Sequence, residues 1–273
     1  MPPGKSYKNK SKKTYNKMSK KNNLVLMKKV AEDVLDENLE TKFVTENTNL
    51  VAFNGIISNP GEYYSLIPSI QRGVGNWQLA QNALTPLQIK TEFIFGITDV
   101  TRTVNVICVL YCLQSKRVKD FPLLAQQSAV SGTYPNCTNN ILKTGDSGEA
   151  TSFNGTPINA TFPTNTNEFK LLKKYVFRLS KNVGAQNGDI GGQQSTCNPN
   201  MADGVSVKRI TYIHKNHPKQ LKYAPDGSAL LQYPNNHAPF WCFGYYKPES
   251  LTPDTGFQSV TVTASTQMFY KDA

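Results

Sequence analysis

Apolar and polar positions alternate over residues 258–270: Val260, Val262, Ala264, Met268 and Tyr270 fall on one face, and Thr261, Thr263, Ser265 and Gln267 on the other. An extended chain points successive side chains to opposite sides, so this segment is expected to be a strand with one buried face. Residues 88–97 repeat the pattern, with Ile89, Phe93, Phe95 and Ile97 opposed to Gln88, Lys90 and Glu92. Residues 103–113 break it, because Val104, Val106 and Leu110 on one side and Ile107, Val109 and Tyr111 on the other are all apolar. Such a strand is expected to be central and covered on both faces.

Further strands are expected over 42–53, 169–180, 205–214 and 239–247, with a short piece near Leu221 or Leu230, for about eight in all. Helical periodicity is scarce; its best internal instance is 119–127, with Phe121, Leu124 and Ala125. Two connections, 128–167 and 181–204, are rich in Asn, Thr, Gly and Ser and are expected to form outer surface. A length of 273 residues accommodates one large domain. This pattern predicts an all-β fold, a single jelly-roll β-sandwich.

Charge divides the chain. Residues 1–29 contain ten lysines (Lys5, Lys8, Lys10, Lys12, Lys13, Lys17, Lys20, Lys21, Lys28 and Lys29) and no acidic residue, which gives +10. From Val30 onward, twenty Lys and Arg against nineteen Asp and Glu leave +1. The expected organisation is therefore a basic arm, 1–29, and a body, 30–273. Lys, Asn, Ser, Thr and Tyr dominate residues 1–23, and no burial can offset the entropy of ordering them, so the arm is expected to be disordered when free. Its ammonium groups can displace counterions from phosphates without reading sequence, and Tyr7 and Tyr15 can stack on bases. Lys12-Lys13 and Lys20-Lys21 also suit a nuclear-import patch. Within the body, alternation over 170–181 places Lys170, Lys174 and Arg178 on one face, opposed to Leu171, Tyr175, Phe177 and Leu179. That face reads equally as a stripe toward nucleic acid or as an ordinary solvated surface.

Other motifs carry little chemistry. Gly145-Asp146-Ser147-Gly148-Glu149 resembles the nucleophile motif of chymotrypsin-like proteases, but Glu149 stands where that motif has Gly, and His214, His217 and His237 all follow Ser147. No enzymatic activity is expected. Cys108 and Cys112 on one strand face read as buried thiols, and His214 and His217 as part of a turn ending at Pro218, so neither metal nor cofactor is expected. Five cysteines at irregular spacing, with no secretory leader expected, point to a reducing compartment. The longest mostly apolar run, 104–113, contains Asn105 and is far short of the roughly 20 residues that cross a bilayer, so no membrane insertion is expected. Asn136-Cys137-Thr138, Asn154-Gly155-Thr156 and Asn159-Ala160-Thr161 match the glycosylation pattern, and their clustering is expected to mark an exposed loop.

Several words recur in a definite order: the basic arm; an acidic stretch ending in Glu40-Thr41-Lys42; Ile67-Pro68-Ser69-Ile70-Gln71-Arg72-Gly73; Asn167-Glu168-Phe169-Lys170-Leu171-Leu172; the aromatic run 240–246; and Phe269-Tyr270-Lys271-Asp272-Ala273. In order and spacing the chain resembles the capsid proteins of circular, Rep-encoding single-stranded DNA viruses, the circovirus-like group. The resemblance implies a jelly-roll subunit that closes into an icosahedral shell with its arm on the genome. Implied partners are identical subunits, viral genomic single-stranded DNA, a host surface receptor and the nuclear import machinery; implied locations are the virion and the host nucleus. With about 60 copies, ten arm charges each would supply on the order of 600 positive charges to the packaged phosphates. The alternatives are a small RNA virus coat protein, a non-viral nucleic-acid-binding sandwich, and a carbohydrate-binding jelly roll whose Trp241 and Tyr245 face the ligand.

Overall fold

A computed structural model of the chain describes residues 25–28, 41–53, 55–57, 63–73, 75, 78–97, 104–126, 141–144, 150–181, 207–224, 232–250, 252 and 260–272. The chain divides into two units, Met1–Thr41 and Lys42–Ala273. In the first, the described residues Val25, Leu26, Met27 and Lys28 form one exposed helical turn; the other nine arm lysines and the acidic stretch 30–40 lie outside the described residues.

The second unit is all-β with two stacked sheets. Its strands are β1 (Thr41–Phe53, whose first residue closes the first unit), β2 (Tyr64–Ser65), β3 (Ala83–Ile97), β4 (Val104–Ser115), β5 (Leu142–Lys143), β6 (Ala150–Thr151), β7 (Phe169–Lys181), β8 (Val207–Ile213), β9 (Leu221–Lys222), β10 (Pro239–Tyr246) and β11 (Val260–Asp272). A short helix, α1 (Phe121–Gln126), follows β4, and a 3-10 turn (Pro157–Thr161) precedes β7. A five-stranded sheet has the order β1-β11-β3-β8 with β9 also paired to β3, a four-stranded sheet has the order β2-β10-β4-β7, and β5 pairs with β6. The sequence-expected strands all appear with ends shifted by a few residues. The two-residue strands β2, β5 and β6 carry too few residues for a period to show.

The core between the sheets follows from register. In the four-stranded sheet Trp241 sits opposite Cys112, Phe243 opposite Leu110 and Tyr245 opposite Cys108, so all six share the inner face. In the five-stranded sheet Val262 faces Phe95 and Ala264 faces Phe93. Aromatic rings knit the layers together: Phe93 meets Trp241 edge-on at 5.1 Å, and Phe95 contacts Phe243 at 4.9 Å and Phe177 at 4.8 Å. Each such buried ring contributes about 2–3 kcal/mol through removal from water. Trp241 and Tyr245, which the carbohydrate-binding alternative needs on the surface, are each 1 % exposed. Their burial removes the observation on which that alternative rested.

The second face of β4 and β10 is also covered. Val109, Tyr111, Leu113, Phe240 and Cys242 pack under Phe121, Leu124, Ile141, Leu142 and Phe153. Phe153 fits because β10 has Gly244 beneath it; a Cβ there would stand 2.7 Å from the ring. This corrects the expectation that 128–167 is outer surface. Its described part is a cover layer, held by hydrogen bonds from Ile57 N to Phe153 O (2.8 Å) and Asn165 N to Ile141 O (2.7 Å). The glycosylation-pattern expectation fails at Asn159 for the same reason: its side chain is buried and its Oδ1 accepts from Asn154 N at 2.7 Å.

A third cluster (Ile67, Ile70, Leu79, Leu84, Ile89, Leu221, Tyr223, Met268 and Tyr270) is built largely on the five-stranded sheet and the β2–β3 connection. Beside it, Lys42 Nζ meets Asp272 Oδ2 at 2.6 Å with little solvent access, pinning the start of β1 to the end of β11. Glu46 on β1 accepts from Ser69 N (2.6 Å) and from Tyr233 OH (3.2 Å), which ties the Ile67–Gly73 word to the edge strand.

Candidate nucleic-acid interface

Strand β7 is the edge of the four-stranded sheet, and its described neighbours show how its cations are aimed. Tyr175, Phe177 and Leu179 sit opposite Leu110, Cys108 and Val106 and therefore face the inter-sheet core. Lys174 and Arg178 sit opposite Tyr111 and Ile107, on the other face. The register then slips between Cys112 and Leu113, which pair with Lys173 and Leu171 and leave Leu172 as the extra residue. A one-residue bulge inverts the alternation beyond it. Lys170 consequently stands opposite Gln114, on the inner side. The expected stripe of Lys170, Lys174 and Arg178 on one face is thus corrected: the bulge separates Lys170 from the other two.

The three residues also differ in what holds them. Lys174 Nζ donates to Ala160 O at 3.1 Å and lies 5.2 Å from the centre of the Tyr111 ring. Its partial burial lowers its pKa through desolvation, and it secures the 3-10 turn. Arg178 is exposed and donates from Nε to Asn105 Oδ1 at 2.7 Å. Lys170 is exposed at the open side of the sandwich.

Beside Lys170 lies a polar network that sequence reasoning missed. His214 Nε2 and His237 Nε2 are 2.9 Å apart, Tyr212 OH is 3.0 Å from His214 Nδ1, and Gln114 Nε2 is 3.2 Å from His237 Nδ1. An amide nitrogen can only donate, so His237 Nδ1 accepts from Gln114; His237 then donates from Nε2 to His214, and His214 donates from Nδ1 to the Tyr212 oxygen. Protonating either ring sets two donors face to face. Burial, reinforced for His214 by His237, His217 and Lys170 and for His237 by His217, Lys119 and Lys170, lowers the pKa to about 3 for His214 and about 4 for His237. The expected turn over 214–217 is not seen: residues 214–218 form neither turn nor bend, a bend falls at 219–220, and His214 itself is interior. No spacing pattern could link it to His237, because the two come from different sheets and meet only on folding.

The buried thiols appear as expected: Cys108 and Cys112 are free and fully buried, and desolvation pushes Cys112 up to about 12; Cys242 is buried beside them. Cys137, Cys197 and the segment 145–149 around Ser147 lie outside the described residues. Among the described residues no group of three His, Cys, Asp or Glu converges as a metal site, and no helix is long and apolar enough to cross a membrane. No family model and no curated protein matches this chain.

Proposed function

We propose that this protein is a coat subunit that assembles into a closed icosahedral shell and packages a single-stranded DNA genome through its lysine arm. The observation that carries the reading is the winding order. Counting β1, β2, β3, β4, β7, β8, β10 and β11 as first to eighth, the two sheets run 1-8-3-6 and 2-7-4-5. First lies beside eighth, second beside seventh, third beside sixth and fourth beside fifth. This order supports reading the body as one long hairpin rolled into two sheets, the jelly-roll winding recurrent in viral capsids. β9 and the β5–β6 pair are additions to it.

Two further features support the reading. The outward face of the five-stranded sheet keeps Phe43 stacked on Phe269 at 6.1 Å, with Ile94 and Ile213 exposed on the same sheet, apolar area that a neighbouring copy can cover. The all-lysine arm suits bulk charge neutralisation over sequence recognition.

Expression of the full chain, followed by electron microscopy and nuclease digestion of the product, tests the proposal. The expected result is closed particles holding DNA protected from DNase. Monomers or small oligomers at every salt concentration, with and without nucleic acid, would overturn it; protected RNA would move the assignment to a coat protein of an RNA virus.

A further inference from the structure

The body is close to neutral as a whole, yet folding gathers its cations. Strand β7 carries Lys170, Lys173, Lys174, Arg178 and Lys181 with no acidic residue, and residues 207–224 carry Lys208, Arg209, Lys215, Lys219 and Lys222, again with none. Half of the twenty body cations therefore fall in two segments that line one side of the sandwich, because β7 and β8 are the edge strands of the two stacked sheets. Tyr175 OH reaches Thr211 O at 3.5 Å, and Phe177 packs on Phe95, whose register partner is Lys208. The strands thus run past one another with Lys170 at the His214 end and Lys208 at the other.

Between those ends Tyr175 and Phe177 are only partly buried, and Lys173 Nζ sits 5.7 Å from the centre of the Tyr175 ring. Among the described residues, no carboxylate is within ion-pair distance of Lys170, Lys173 or Lys208, whereas Arg209 sits opposite Ile94 on the outward face of the five-stranded sheet, where its charge acts on Glu92. Thirteen extended residues give β7 a length of about 40 Å. A charged track of that length with aromatic faces set into it is what a single-stranded polynucleotide needs: phosphates meet cations and bases find rings.

We propose that the β7–β8 side of the sandwich is a second binding surface for single-stranded nucleic acid, independent of the arm, in which Lys170, Lys173 and Lys208 engage phosphates on either side of Tyr175. The inference rests on the coat reading only for its choice of nucleic acid as the partner. Edge lysines also deter unwanted strand pairing, and the test separates that role from binding.

The experiment uses the full chain with glutamine at the ten arm lysines, titrated against a fluorescent oligothymidine, an abasic oligonucleotide of equal length, and heparin. The arm-neutral chain is expected to bind oligothymidine in a salt-sensitive way and to bind the abasic strand at least fivefold more weakly. Adding Lys170→Gln, Lys173→Gln and Lys208→Gln is expected to cost tenfold or more at low salt. The log–log salt slope should fall by about 2, at roughly 0.7 per lost contact. Ultraviolet crosslinking of the arm-neutral chain, with peptide mapping, reads the site without any edge substitution and is expected to mark 169–181. Unchanged affinity and slope, or crosslinks confined to other segments, would overturn the inference, as would aggregation of the variant with glutamine at Lys170, Lys173 and Lys208 with binding intact. Equal binding of heparin and of both strands would reduce the surface to a general polyanion patch and overturn its assignment to nucleic acid. Failure of the unmodified chain to form shells would defeat the coat reading alone.

Discussion

The two sheets are built from strands of similar length and differ in how many layers enclose them. In β10 every residue from Pro239 to Tyr245 is buried, and β4 is fully buried from Cys108 to Leu113. In β11 and β3 buried and accessible residues alternate, and the accessible side carries Thr263, Glu92 and Ile94. A strand between two apolar layers loses its alternation, whereas a strand with one wet face keeps it. The second layer over β4 and β10 is supplied by a segment whose composition reads as polar loop.

That contrast can be broken most sharply at Phe153. Phe153→Ala removes the ring that closes over Gly244, and we expect about 3–5 kcal/mol of lost stability, seen as a lower denaturant midpoint. A loss below 1 kcal/mol would show that the cover layer is ornamental. Leu110→Ala, on the inner face of the same sheet, is expected to cost about 2–5 kcal/mol.

The histidine pair joins the two sheets and should make their union sensitive to acid. Both folded pKa values lie below the ordinary 6.5, so the unfolded chain binds protons first. The contribution is fully present above about pH 6.5 and declines as pH falls toward 4, by up to about 1.4 kcal/mol per pH unit for each histidine. Melting temperature should therefore be flat above pH 7 and fall between pH 6.5 and 4; in a His214→Gln, His237→Gln double variant that fall should shrink. An identical acid profile in the double variant would show that other groups govern it.

The smallest effect is expected on the wet face. Ile94→Ala, at 39 % exposure, should change stability by less than about 1 kcal/mol in the isolated subunit. Particle yield, compared at equal subunit concentration, should drop if that face meets a neighbouring copy. A large loss of subunit stability there would erase the distinction between the sheets.

Much of the body was legible from its residues. The period-two pattern located β3 and β11, and the apolar residues on both sides of β4 announced two covering layers, because side-chain alternation is a local property of extended backbone. The candidate site was legible only in part. The cations of β7 were visible, but the bulge at Leu172 that turns Lys170 inward leaves no mark in composition, since it depends on pairing with β4. Lys208 gained meaning only when β8 came to lie along β7.

What the sequence determined by itself is the lysine arm's charge, the division between arm and neutral body, and the strands with their buried faces, all of which follow from neighbours along the chain. Tertiary structure alone decided that Ile141, Leu142 and Phe153 leave a polar loop to form a core, that His214 meets His237, and that the cation-bearing strands β7 and β8 come together on one side of the sandwich. Each of these joins residues far apart in sequence, and the burial or field that gives each its character exists only once the sheets have stacked.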